Sequence, residues 1–264
     1  MKNVGFYDWQ LDSTRPVSWM MVSNPAHNGG KTYDIHRALH LGMILSGMHK
    51  GRYGNTEFAL STSNIFLTAP WEPHCTIATS HDRKILLINL DDATLENFFF
   101  AGREKLANLF AMPPVERMQC INQVPDKELW LEKMLAVCRA PEAPEKILRV
   151  YNAVLEFFIN LLPTIPDRDV ALDLLHSRLR PALQNLSCRI MGVEQAAGLC
   201  NLSSSRFSVL FKQVYGMSFG RYERLFRLNG AKDDLQRGAT LKETALKWGF
   251  CDKSHLARLL KQYW

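Results

Sequence analysis

Hydrophobic and polar positions follow two different rhythms along this chain. Through about residue 120 the apolar runs are short or alternate in twos, the period of a strand. They are Leu41–Leu45, Glu57–Leu60, Ile65–Thr68, Cys75–Thr79 and Lys84–Leu90, punctuated by Gly47, Gly51, Gly54, Pro70 and Pro73. Strands of that length with closely spaced turns predict a sandwich or a small barrel. The period then changes to that of a helix. Asp91–Leu109 reads as helical in part, and Asp126–Arg139 and Glu145–Leu162 as amphipathic helices. In the last of these, Leu148, Tyr151, Val154, Leu155, Phe158, Ile159 and Leu162 recur at three- and four-residue steps. Pro163 and Pro166 mark a linker, and helices resume near Asp169.

The last ninety or so residues carry one small pattern twice. The first copy has Ala197 and Asn201, then Ser203 through Gln213; the second has Ala245 and Gly249, then Asp252 through Gln262. In each, a small residue lets two helices approach, and Asn201 or Gly249 suits the left-handed backbone that ends the first helix. Ser203 or Asp252 offers an oxygen to the free N–H groups of the next helix. That helix places apolar residues at helical spacing: Phe207, Leu210 and Phe211, then Leu256, Leu259 and Leu260. Helix, tight turn and helix with a polar face outward is the helix-turn-helix layout. Between the copies, Phe219–Arg237 reads as one helix with Tyr222, Leu225, Phe226, Ala231 and Leu235 inward. At 1.5 Å per residue it spans ~28 Å, near the separation of successive major-groove faces.

Charge sharpens this picture. The 264 residues carry a net charge of +6, but from His176 onward there are 15 Lys and Arg against 6 Asp and Glu, while residues 1–175 are slightly acidic. Positive charge is thus concentrated where phosphate neutralisation requires it. The six cysteines (75, 120, 138, 188, 200 and 251) include no Cys-x-x-Cys pair, which argues against zinc fingers and a disulfide framework. No signal peptide or long apolar run is evident, so a soluble, cytoplasmic protein with no membrane partner is expected.

The string from Val193 through Leu-Ser-Ser-Ser-Arg-Phe, Gly216-Met217-Ser218-Phe219, Tyr222, Arg227-Leu228, Ala245, Gly249-Phe250, Asp252 and Ser254 to Lys261 resembles the DNA-binding domain of the AraC/XylS family of bacterial transcription regulators. The first domain is similar to that family's cupin-like effector domain, through His40–Gly51, Asn64–Pro70 and Pro73-His74. The resemblance implies a multi-domain chain. An N-terminal β-rich cupin-like barrel with a helical dimerisation segment occupies 1–162, a linker 163–176, and an all-α tandem helix-turn-helix domain 177–264. It implies double-stranded DNA, RNA polymerase, a small-molecule effector and a second copy of the chain as partners, with the helices after Pro125 forming the dimer contact. Three departures stand out. Asn201 replaces the usual glycine, and Val209 replaces a long polar side chain. The family's closing Gly, Pro and Arg do not follow Trp264, so the second unit is expected to be less well buttressed unless Tyr263 and Trp264 fill their place.

The resemblance assigns DNA contact to Ser204, Ser205, Arg206, Ser208 and Lys212 on the first recognition helix, and to Lys253, Ser254, His255, Arg258 and Lys261 on the second. Arg258 suits a bidentate contact to guanine, and Lys212 and Lys261 suit phosphates. Trp19, Tyr33, Phe66, Trp71 and His74 are candidates for lining an effector pocket, against ordinary barrel core. His36, His40, His49 and His74 invite a metal reading. Because no His-x-His occurs, no metal ligand set is assigned, and neither catalytic residues nor a cofactor are expected. The first reading is therefore a ligand-responsive regulator, an activator by analogy and not an enzyme. The alternatives are a metal-dependent cupin enzyme with an appended DNA-binding module, and a regulator with weakened DNA binding that acts through partner contacts.

Overall fold

The computed structural model describes residues 11, 15–23, 33–36, 38–54, 56–91, 103–166 and 173–263. The first half is built on two antiparallel sheets. One has strand order β1 (Val17–Ser23), β7 (Lys84–Leu90), β2 (Leu39–Ser46), β5 (Ile65–Thr68); the other has β4 (Thr56–Leu60), β3 (His49–Tyr53), β6 (His74–Thr79). Strand β2 is buried along both faces, which explains why it reads as a continuous apolar run rather than an alternating one. Its register sets Leu41 between Leu67 and Ile88, all on the face that meets the helices. The opposite face carries His40, Gly42 and Ile44, turned toward the second sheet. There Ile44, Tyr53, Phe66 and Ile85 form the barrel interior, with Phe58 and Leu60 at its edge. Gly42 is required by contact: a Cβ there would lie 2.0 Å from the Phe66 ring.

Four helices cover the outer face of the larger sheet: α1 (Arg103–Ala111), α2 (Pro114–Asn122), α3 (Lys127–Arg139) and α4 (Lys146–Leu161). The Trp130 indole N–H donates to the Ala153 carbonyl at 2.7 Å and ties α3 to α4. Helix α2, strand β1 and strand β3 were not expected from periodicity. His49–Tyr53 looks too polar and glycine-broken for a strand, yet it is the central strand of its sheet, bonded on both edges. Helix α2 is held by Arg117, a fully buried guanidinium that donates to both Glu72 carboxylate oxygens at 2.7 and 2.6 Å. Most of the expected helix over 91–109 lies outside the described residues, apart from α1.

The second half is helical: α5 (Asp173–Gln184), α6 (Val193–Leu199), α7 (Ser204–Tyr215), α8 (Phe219–Gln236), α9 (Leu241–Lys247) and α10 (Lys253–Tyr263). Helix α5 crosses the boundary expected at residue 177. Its Leu179, Ala182 and Leu183 join α6, α7 and α8 in one apolar cluster, which also takes in Tyr33, Ile35, Trp71 and Cys75 from the β-rich half. The two halves therefore share a core. Among the described residues, no helix is long and apolar enough to cross a membrane.

Candidate nucleic-acid interface

The two helix pairs α6–α7 and α9–α10 repeat one construction bond for bond. Asn201 and Gly249 take left-handed backbone at φ 52° and 64°. Asparagine tolerates that conformation better than most residues, which is how the turn survives without glycine. The next amide in each copy closes the same ring: Leu202 N–H donates to the Ala197 carbonyl and Phe250 N–H to the Ala245 carbonyl, both at 2.9 Å. The caps are equivalent too. Ser203 Oγ accepts the Arg206 N–H at 3.3 Å, and Asp252 Oδ1 accepts the His255 N–H at 2.8 Å. That second bond holds the Asp252 carboxyl below the usual carboxylate range.

Helix α8 fixes the units to one another. Arg227 and Glu223 form a buried ion pair one turn apart, Nε to Oε1 2.6 Å. The guanidinium continues to the Trp248 carbonyl at 2.6 Å and the Gly249 carbonyl at 3.3 Å, inside the turn of the second unit. Glu223 accepts the Met191 N–H at 3.3 Å, at the entry to the first. Gly230 admits the Trp248 ring, which would lie 1.9 Å from a Cβ at that position. The Trp248 indole N–H in turn donates to Asp234 at 2.6 Å.

The polar faces of α7 and α10 are turned outward. Ser205, Arg206, Ser208 and Lys212 are exposed on α7, and Val209 beside them is 67% exposed; Ser204 is half-buried. The Ser208 hydroxyl donates back to the Ser204 carbonyl at 2.8 Å, which occupies its hydrogen within the helix. On α10, Lys253, Ser254, Arg258 and Lys261 are exposed. His255 differs: it is half-buried with its ring edge toward Phe250 at 6.0 Å, and its Nδ1 is buried without a hydrogen-bond partner. Tyr263 packs against the clusters of both units; Trp264 lies outside the described residues.

The five residues considered for an effector pocket fall into four separate groups. Trp19 is half-buried against the helix-facing core, with Lys146 Nζ 5.3 Å from its ring centroid. Phe66 is inside the barrel, stacked on His49 at 5.2 Å. Tyr33 and Trp71 are contacts to the helical half. The Tyr222 hydroxyl donates to the Trp71 carbonyl at 2.6 Å, and the Asn229 amide donates to the Tyr33 carbonyl at 3.2 Å. His74 belongs to a cluster of three histidines that contains no His-x-His pair. One ring nitrogen from each of His36, His40 and His74 lies within 4.8 Å of the others. The approach to β2 and the start of β6 meet across the fold, which spacing along the chain does not reveal.

Residues 196–264 match the family model described as "Helix-turn-helix domain". No curated protein matches the chain in sequence. Among solved structures, ToxT from Vibrio cholerae O395, bound to (E)-4-(8-methylnaphthalen-1-yl)but-3-enoic acid, is similar over 94% of this chain and 95% of its own. The TM-score is 0.55 and the identity 14%. Unsaturated fatty acid bound wild-type ToxT from Vibrio cholerae strain SCE256 covers 94% and 91%, at TM-score 0.51 and 12% identity. At those identities the likeness is one of fold, and it extends over both halves of the chain.

Proposed function

We propose, from the premise that residues 196–264 form an AraC-type helix-turn-helix domain, that this chain is a sequence-specific DNA-binding transcription regulator and not an enzyme. The observation that carries the reading is the pair of equivalent helices α7 and α10, exposed along their polar faces and hung on a single helix α8. Eighteen residues of α8 span ~27 Å, a length suited to two successive major-groove segments on one side of a duplex. Lys212 and Lys261 grip phosphate, while Lys253 and Arg258 carry long donors toward base edges. His255 takes a smaller part, because its ring is tucked toward Phe250.

The domain division we adopt is 1–162 for sensing and dimerisation, 163–176 for the linker and 177–264 for DNA, with α5 spanning the last junction. ToxT's bound fatty acid and naphthalenyl acid support a small-molecule effector, which we assign to the β-rich half. A homodimer, working on RNA polymerase in the cytoplasm, completes the reading. A gel-shift titration tests it: duplex selected by the chain from a random pool, against unselected duplex, over a salt series. The selected duplex is expected to bind at least about 1,000-fold more tightly, with both affinities falling steeply as salt rises. Equal affinity for the two would overturn sequence-specific recognition.

A further inference from the structure

We infer that His36, His40 and His74 form a binding site for a divalent late first-row transition metal of the zinc type, held through ring nitrogens with a fourth position open. The argument begins with tautomers. His36 Nδ1 lies 2.8 Å from the Ala38 carbonyl, and His74 Nδ1 lies 3.0 Å from the Glu72 carbonyl. A carbonyl oxygen only accepts, so both Nδ1 atoms carry hydrogen and both Nε2 atoms present lone pairs. Those two Nε2 atoms face each other at 3.3 Å. Two neutral rings in this tautomer have no proton to share along that line. A positive charge between them, proton or metal, satisfies both.

Three observations favour the metal. The 3.3 Å separation matches the edge of a tetrahedral site, ~3.3–3.4 Å for metal–nitrogen bonds of ~2.0–2.1 Å. The third ring is already present, since His40 stacks on His36 with centroids 3.9 Å apart. Closing the set requires drawing nitrogens that are at most 4.8 Å apart toward ~3.4 Å, a modest side-chain adjustment. Bonds from Nδ1–H to backbone carbonyls are also the outer-shell arrangement that orients metal-bound imidazoles and raises their basicity.

The site also lies where it can act on the helical half. His36 and His74 sit on two segments that clasp each other: Asp34 and His74 exchange backbone bonds at 2.7 and 3.1 Å, and Trp71 N–H donates to the His36 carbonyl at 2.8 Å. The same segments offer the Tyr33 and Trp71 carbonyls to Asn229 and Tyr222 of α8. A metal joining His36 to His74 stiffens the surface on which α8 rests. The effector role, unlike the site itself, rests on the DNA-binding reading above.

Full-length protein stripped with a chelator and titrated with Co2+ tests the site. One equivalent of cobalt is expected to produce the intense visible bands of a four- or five-coordinate centre, bleached by one equivalent of Zn2+. His74→Gln and His36→Gln are each expected to weaken binding by more than the ~10–100-fold that outer-shell changes cost, while His81→Ala on an exposed turn leaves it unchanged. X-ray absorption on the zinc-loaded wild-type chain keeps the test independent of whether the variants fold: three imidazoles are expected around the metal. A weak, hexa-aqua-like cobalt spectrum, sulfur in the shell, fewer than three imidazoles, or wild-type affinity in both variants overturns the site. Gel shifts on the selected duplex, with and without zinc, test the coupling, for which a change of at least about fivefold is expected. Unchanged affinity overturns the effector role and leaves a structural metal. Failure to discriminate DNA in either state overturns the regulator reading, while the cobalt spectrum still decides the site.

Discussion

Arg258 and Lys261 stand three residues apart on the exposed side of α10, and their chemistry separates what each should do. Arg258→Ala is expected to weaken binding to selected duplex by about 1–3 kcal/mol and to leave binding to random duplex nearly unchanged, since it removes a base-edge contact. Lys261→Ala is expected to weaken both together and to flatten the salt dependence by about one counterion. Affinities on both duplexes across a salt series check the pair; equal losses for Arg258→Ala remove it as a base reader. A second residue-scale prediction concerns His49, buried in the barrel with Arg83 Nη1 3.0 Å from its Nδ1. Burial, reinforced by that guanidinium, lowers its pKa from 6.5 to about 3. The unfolded chain therefore binds a proton at this ring that the folded chain refuses. Its stabilising contribution is present above pH 6.5 and is lost as pH falls from there toward about 3, at up to about 1.4 kcal/mol per pH unit. Urea midpoints between pH 7 and 5 should show this slope, reduced by one proton in His49→Asn. An identical slope in the variant would assign the proton uptake elsewhere. The sequence marks these side chains as candidates, but only the fold shows that Arg258 is exposed while His49 is enclosed.

At the scale of elements, α7 and α10 are copies in construction and differ in what they present. Helix α7 offers short serines, one with its hydroxyl turned back on the helix, and an exposed valine. Helix α10 offers Lys253 and Arg258, long donors on an exposed face. Specificity should thus concentrate in the half-site beneath α10, with α7 gripping backbone and setting register. A base-by-base substitution series is expected to cost about 1–3 kcal/mol per pair under α10 and distinctly less under α7, unless Arg206 reaches the bases. Equal penalties in the two halves would reverse the assignment. Helix α8 shows where periodicity stops being informative. Its inward positions Tyr222, Leu225 and Ala231 are legible, but Glu223, Arg227 and Asn229 are buried as well. They read as surface because burial of a polar group depends on partners supplied from distant segments: Met191, the Trp248 carbonyl and the Tyr33 carbonyl.

For the whole molecule, the apolar stripe of α4 is divided between core and surface. Tyr151, Val154 and Phe158 are core, and Leu155 is half-buried. The apolar residues left outside are Leu148 at 68% and Ile159 at 61% exposed, with Leu129 of α3 at 66%. If subunits pair along α3 and α4, these three carry the contact. The double variant Leu148→Glu, Ile159→Glu is expected to sediment as a folded monomer with an unchanged circular dichroism spectrum, and a persisting dimer would move the interface elsewhere. By itself the sequence determined the local devices: both turns with their left-handed residues and caps, five of the seven strands among the described residues, the long helices, and the concentration of positive charge in the helical half. Each of these is encoded within a few neighbouring positions, through backbone sterics, short-range hydrogen bonds and side-chain periodicity. The tertiary structure alone decided the rest. It made a polar, glycine-broken segment the central strand of a sheet, and it placed Tyr33 and Trp71 beneath α8. It also brought His36, His40 and His74 to within 4.8 Å of one another. Those outcomes depend on segments far apart in the chain, whose meeting is set by the packing of the whole fold rather than by any local pattern.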